Sequence, residues 1–240
     1  MQEQQTLEVT NPFQAASEIF YKPTNVFKAL AVKDNWSWIP FILIILVSCA
    51  PAYLYFSVVD FDWYATQAAL MQNPEGSPAE LEAMKNFMEP GSTQMFVILA
   101  VVIGTPIVFA ILAGYYTLVT RNDEKSLQGF TDWYGAMWWM ALPAVISAVI
   151  SSLYLVMQPI DAQIPQSAMA PLSLAFLFGI DMSHSLYGLL ESIRLDTFWS
   201  IALGAIALNT WTNFSMLKSI IIAIIPGAIV WSITLAVALA

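Results

Sequence analysis

Apolar positions in this chain gather in long blocks rather than alternating with polar ones. Five blocks stand out, residues 37–58, 94–119, 133–157, 197–212 and 216–239, and none holds an Asp or Glu in its interior. A helix crosses the hydrocarbon core of a bilayer with about 20 predominantly apolar residues. Helices also satisfy their own backbone hydrogen bonds, which lipid cannot do. The pattern therefore predicts an all-α polytopic membrane protein, a bundle of five transmembrane helices. Prolines lie in or at the edge of four blocks, as Pro40, Pro51, Pro106, Pro143 and Pro226. An interior proline frees a carbonyl and bends its helix, so proline-kinked spans are expected.

Two intervening segments, 59–93 and 158–196, are long enough to fold. In the first, SPAELEAMKNFM carries a helix start: Ser77 can cap, Pro78 suits the first helical position and Glu80 completes a capping box. Leu81, Met84 and Met88 then share one face. The second holds LSLAFLFGI, too short to span and read as re-entrant or interfacial. SHSLYGLLESIRL after it predicts an amphipathic helix on the membrane surface. Were 172–190 to cross instead, there would be six spans, with Asp181 and His184 at a cost in lipid.

Residues 1–36 form an N-terminal segment ahead of a membrane domain over 37–240. Phe13, Ala16, Phe20, Phe27 and Leu30 fall at helical spacing, interrupted by Pro23, with lysines among them. This predicts two short amphipathic helices on the inner leaflet. Because the first apolar block begins so late, a cleavable signal is not expected, and the first span serves as a retained anchor.

Composition agrees: 58% of residues are hydrophobic and 10% charged, against about a quarter charged in soluble domains. Of the eight basic residues, Lys22, Lys28, Lys33, Arg121, Lys125 and Lys218 fall on one predicted side, and only Lys85 and Arg194 on the other. Cytoplasmic loops carry the Lys/Arg excess. The N-terminus is expected inside, the C-terminus outside, and the setting a bacterial inner membrane. A net charge of −9 argues against nucleic acid as a partner.

Candidate chemistry is thin. His184, the single histidine, has Ser183 and Ser185 beside it and Asp181 three residues before, but a triad assembles in space, not in local order. Asp60 and Asp62 could chelate a cation, yet their spacing fits no known loop. The single cysteine, Cys49, permits no disulfide within the chain. No catalytic residue, cofactor or metal is expected. Asn209 and Asn213, four apart, share one helix face. Packing between helices is the expected role of Asn209, and capping the turn at NFSM that of Asn213. Lys218 opens the last block and can snorkel to the interface. Small residues four apart, such as Ser200 and Gly204, let helices approach closely.

The stretch TDWYGAMWWMALPAV gathers Trp133, Tyr134, Trp138 and Trp139. Together with Trp36, Trp38, Tyr115, Tyr116 and Trp211 they read as an aromatic belt at the inner interface. A tyrosine–glycine pair opening the third span (Tyr134, Gly135), followed by Pro143 within it, resembles the Yip family, the Ypt/Rab-interacting five-span membrane proteins and their bacterial relatives. IFYKPTNVFKAL, with Pro23 and Phe27, is similar to the family's entry, and LDTFWSIALGAIALNTWTNFSMLKSIIIAII to its ending. The resemblance implies a five-helix bundle with a cytoplasmic N-terminus that organises membrane or partner proteins, with membrane-protein partners or further copies of itself. The DLYGP motif of eukaryotic members is absent, which argues against GTPase binding.

Two other classes stay open on sequence: a transporter or channel for a neutral or apolar solute between kinked helices, and an interfacial enzyme using His184.

Overall fold

The computed structural model describes residues 8–239; residues 1–7 of the N-terminal segment, and Ala240, lie outside the described residues. The described residues are helical with no strand, only two isolated bridges, Val59 to Ala162 and Ser173 to Arg194. Four helices, not five, are both long and apolar enough to cross a bilayer: Trp38–Val58, Pro90–Thr120, Phe130–Val156 and Met216–Ala238. The remaining block folds as Leu195–Trp211, 17 residues. At 1.5 Å per residue that is about 25 Å, short of a core about 30 Å thick. It is cut short because Thr212–Ser215 breaks the chain before Met216. No helix of more than six residues forms between Gln158 and Arg194 among the described residues, so 172–190 is not a sixth span.

The prolines act in three ways. Pro51 and Pro226 lie inside continuous helices. Pro106 follows a π turn over Ala100–Gly104, a widened turn that accommodates the missing N–H. Pro143 restarts the third span after a break at Ala141 and Leu142.

The chain divides into two compact units. The first comprises 8–44, Thr105–Pro143 and Thr197–Pro226. Its core is aromatic: Trp133, Trp138 and Trp139 are fully buried and Trp211 nearly so. The Trp133 ring lies 5.0 Å from that of Tyr116 and 4.8 Å from that of Trp211. This corrects the expected belt. These rings fill the protein interior, and among the tryptophans named for the belt Trp38 is the exposed one, at 61%. Edge-to-face contacts reward buried rings beyond their area, and a sequence of rings alone does not say which side faces lipid.

The N-terminal helices, Pro12–Glu18 and Pro23–Leu30, belong to this unit. Their buried face is Ala15, Ile19, Val26, Phe27 and Ala29, while Phe13 is exposed. Phe20 meets Trp199 edge-on at 5.4 Å, and Phe27 meets Trp211 at 6.0 Å.

The second unit comprises Ile45–Gly104, Ala144–Asp196 and 227–239. Its core gathers Tyr55, Tyr64, Leu155, Ile164 and Tyr187. The predicted capping box is present: Glu80 Oε2 accepts from the Ser77 N–H at 2.8 Å, and Ser77 Oγ from the Glu80 N–H at 3.4 Å. Helix Phe61–Gln72 was not expected. Asp60 caps it through the Trp63 N–H, and Asp62 pairs with Lys85 at 3.0 Å.

The surface-helix reading of SHSLYGLLESIRL shortens to Tyr187–Ser192. Asp181 accepts from the Ser183 N–H and hydroxyl, and His184 Nδ1 accepts from the Leu186 N–H. Local turns of this kind compete with the helix.

Candidate functional site

A cleft of about 780 Å³ opens in the first unit where Pro23–Leu30, the start of Trp38–Val58 and the start of Phe130–Val156 meet. Lys33, Asp34 and Asn35 stand at its mouth with Thr131 and Asp132. Asn35 has φ 64°, a left-handed conformation that Asn tolerates, and it turns the chain into the first span. The rest of the lining is largely apolar: the exposed Trp38 and the half-buried Phe41 from one helix, Tyr134 and the buried Trp138 from another, and Pro106. The rings are held edge-on, with Phe41 4.7 Å and Tyr134 6.0 Å from Trp138. Pro106 lies 14 residues before the end of its helix at Thr120. That places it about 20 Å along the axis from the helix end.

The charges at the mouth differ in their commitments. The Asp132 carboxylate accepts from the Gly129 N–H at 2.8 Å and so fixes the entry of the third span. The side chains of Lys33 and Asp34 make no hydrogen bond or ion pair with the described residues and are exposed.

Tyr134 and Gly135 line this cleft together. Gly135 is required by proximity: a Cβ there would lie 2.7 Å from Ser37 Oγ. That hydroxyl accepts from the buried Trp139 Nε1 at 3.2 Å. Gly204, from the small-residue pattern, is equally confined, its Cβ falling 2.7 Å from Tyr116 Oη.

Pro23 begins its helix, and Phe27 anchors it: besides the ring contact, the Phe27 carbonyl accepts from Trp211 Nε1 at 2.8 Å. Pro143 restarts the third span and stands outside the cleft lining.

Asn209, Asn213 and Lys218 gather at the break before the last span. Asn209 Nδ2 donates to the Phe214 carbonyl at 2.9 Å. Asn213 is exposed, and it is its backbone N–H that donates to Asp123 at 3.1 and 3.2 Å. Ser215, rather than Asn213, supplies the cap, accepting from the Lys218 N–H at 3.3 Å. Lys125 Nζ donates to the Thr212 carbonyl, and Lys218 Nζ sits 3.4 Å from the Phe214 ring centroid. Asp123, Lys125 and Ser37 carried no sequence signal for these roles, because each acts across a long separation along the chain.

In the second unit, Arg194 makes two bonds to Asp196, of 2.6 and 3.1 Å, and a third to Ser147 Oγ at 3.4 Å. Tyr187 Oη accepts from the Ser167 N–H and donates to Glu191. Burial pushes the Glu191 carboxyl up, against the opposing pull of Tyr187 and Arg194. His184 is exposed and its ring bonds to no serine among the described residues, while Asp181 is occupied by Ser183. No group of three or more His, Cys, Asp or Glu side chains is placed to hold a metal ion among the described residues.

The Yip1 domain family profile matches residues 17–238, nearly the whole chain. Comparison with curated proteins gave no match. Comparison with solved structures likewise gave none.

Proposed function

The chain belongs to the Yip1 domain family, and from that premise we propose that it is a non-enzymatic integral membrane protein that organises the bilayer or partner proteins around it. One observation carries this reading. The polar groups that the sequence offered for chemistry are held in helix breaks, ion pairs and turns. Asn209 and Asp123 fasten the break before the last span, Arg194 is paired with Asp196, and His184 closes a surface turn. What remains open is a cleft with ungripped charges, which suits binding rather than turnover.

We place the N-terminus in the cytoplasm of a bacterial cell, because Lys22, Lys28, Lys33, Arg121 and Lys125 fall on its side whether four or five helices cross. The partners expected are membrane proteins, including further copies of this chain. Cross-linking in intact membranes, followed by purification in mild detergent, tests the reading. Specific co-purifying membrane proteins or discrete homo-oligomers are expected. A monomer with no cross-linked neighbour would refute it.

A further inference from the structure

We propose that the cleft in the first unit binds the headgroup of a zwitterionic phospholipid, one carrying an ammonium group beside its phosphate. The inference deepens the reading of this protein as a membrane organiser, because it names the bilayer component that the protein would select.

Charge comes first. Lys33, Asp34 and Asp132 bring one positive and two negative side chains to the mouth. Lys33 offers three donors to a phosphate. Asp34 and Asp132 offer carboxylates to an ammonium. A headgroup with both charges satisfies the set, whereas a purely anionic one meets a net negative entrance. Lys33 and Asp34 have no partners among the described side chains, so a ligand displaces no existing bond.

Aromatic character comes second. Trp38 and Tyr134 line the cleft with the charged residues. Ring faces attract cations that have shed water, and tryptophan and tyrosine favour the headgroup level of a bilayer.

Shape comes third. Phe41, Trp138 and Pro106 also line the cleft, giving an acyl chain apolar contact beside the headgroup. Its volume of about 780 Å³ suits a headgroup with the first part of a chain.

The test is native mass spectrometry of the full chain with phosphatidylethanolamine and phosphatidylglycerol of identical acyl chains. The wild type should retain phosphatidylethanolamine preferentially. Lys33→Gln and Asp34→Asn, both at exposed positions, should each weaken it about tenfold, the loss of one charge-assisted contact. Asp34→Lys makes the mouth net positive and should shift preference to phosphatidylglycerol, a change that misfolding would not produce. Equal retention of both lipids by wild type, or unchanged selectivity in all three variants, would overturn the proposal. Partner cross-linking is scored on the same variants. Captured partners without lipid selectivity would sink this inference alone, and lipid selectivity in a protein that captures nothing would sink only the partner reading.

Discussion

Gly135→Ala places a methyl group 2.7 Å from Ser37 Oγ and 3.3 Å from Ser37 Cβ. Nothing flexible separates them, so the serine hydroxyl has to turn away. In doing so it abandons Trp139 Nε1, now 3.2 Å distant, on a ring with no exposure. A buried donor left without a partner costs about 1–3 kcal/mol. The alanine itself recovers up to about 1 kcal/mol of helix propensity. With that recovery the net loss expected is about 0–2 kcal/mol, the clash adding toward the upper end.

Ser37→Ala removes the same acceptor, so it should cost about as much by itself. In that background the added methyl meets only a carbon at 3.3 Å, and Gly135→Ala should be neutral or slightly stabilising. A double-mutant cycle on thermal unfolding in detergent reads the difference directly. If Gly135→Ala costs the same with Ser37 present and absent, the close approach is not what keeps this position glycine.

Four further outcomes follow. Asn209→Leu loses one hydrogen bond to the Phe214 carbonyl, worth on the order of 0.6 kcal/mol in a membrane protein; thermal stability should barely move, and wild-type liposome uptake of a neutral solute that vanished in a stable Asn209→Leu protein would establish transport instead. His184→Ala should leave cross-linked partners and oligomer distribution as in wild type, since only a surface turn depends on the ring. Burial raises the folded-state pKa of Glu191, so the folded chain holds its proton longer; stability is greatest below the carboxyl's ordinary range and falls as pH rises through the raised value, and Glu191→Gln should flatten that decline in a pH series of melting curves. With four crossings, reporters fused after Ala240 and within 121–126 should both read inside; an outside reading after Ala240 would make the 17-residue helix Leu195–Trp211 a fifth crossing.

What could be read from sequence was what acts locally. The capping box at Ser77 and Glu80 needs only residues three apart, and it is present as expected. The four long spans follow from block length alone. The fifth was miscounted because apolar composition does not reveal where a helix stops, and the stop at Thr212–Ser215 is fastened by Asp123 and Lys125 from far along the chain. Helix Phe61–Gln72 hid behind Asp60 and Asp62, whose carboxylates suggest cation ligands in sequence and prove to be a cap and an ion pair. In the candidate site, Tyr134 and Gly135 are adjacent in sequence and legible as a pair, but Ser37, Lys33 and Asp34 become their neighbours only through folding. The tryptophans were legible as a group and not as a core, since lipid and protein interior make the same demand on a ring.

The ion pairs of the second unit bear on what can approach it. Its two basic residues, Lys85 and Arg194, are each already held by an aspartate. Other acids of that unit, among them the exposed Glu75, Glu89 and Asp161, pair with no lysine or arginine among the described residues. To an approaching polyanion, whether an acidic protein tail or a phosphorylated glycan, this surface offers no purchase and some repulsion. Mobile counter-ions supply the balance instead, so crowding between copies on that side should ease as salt or divalent cations are raised.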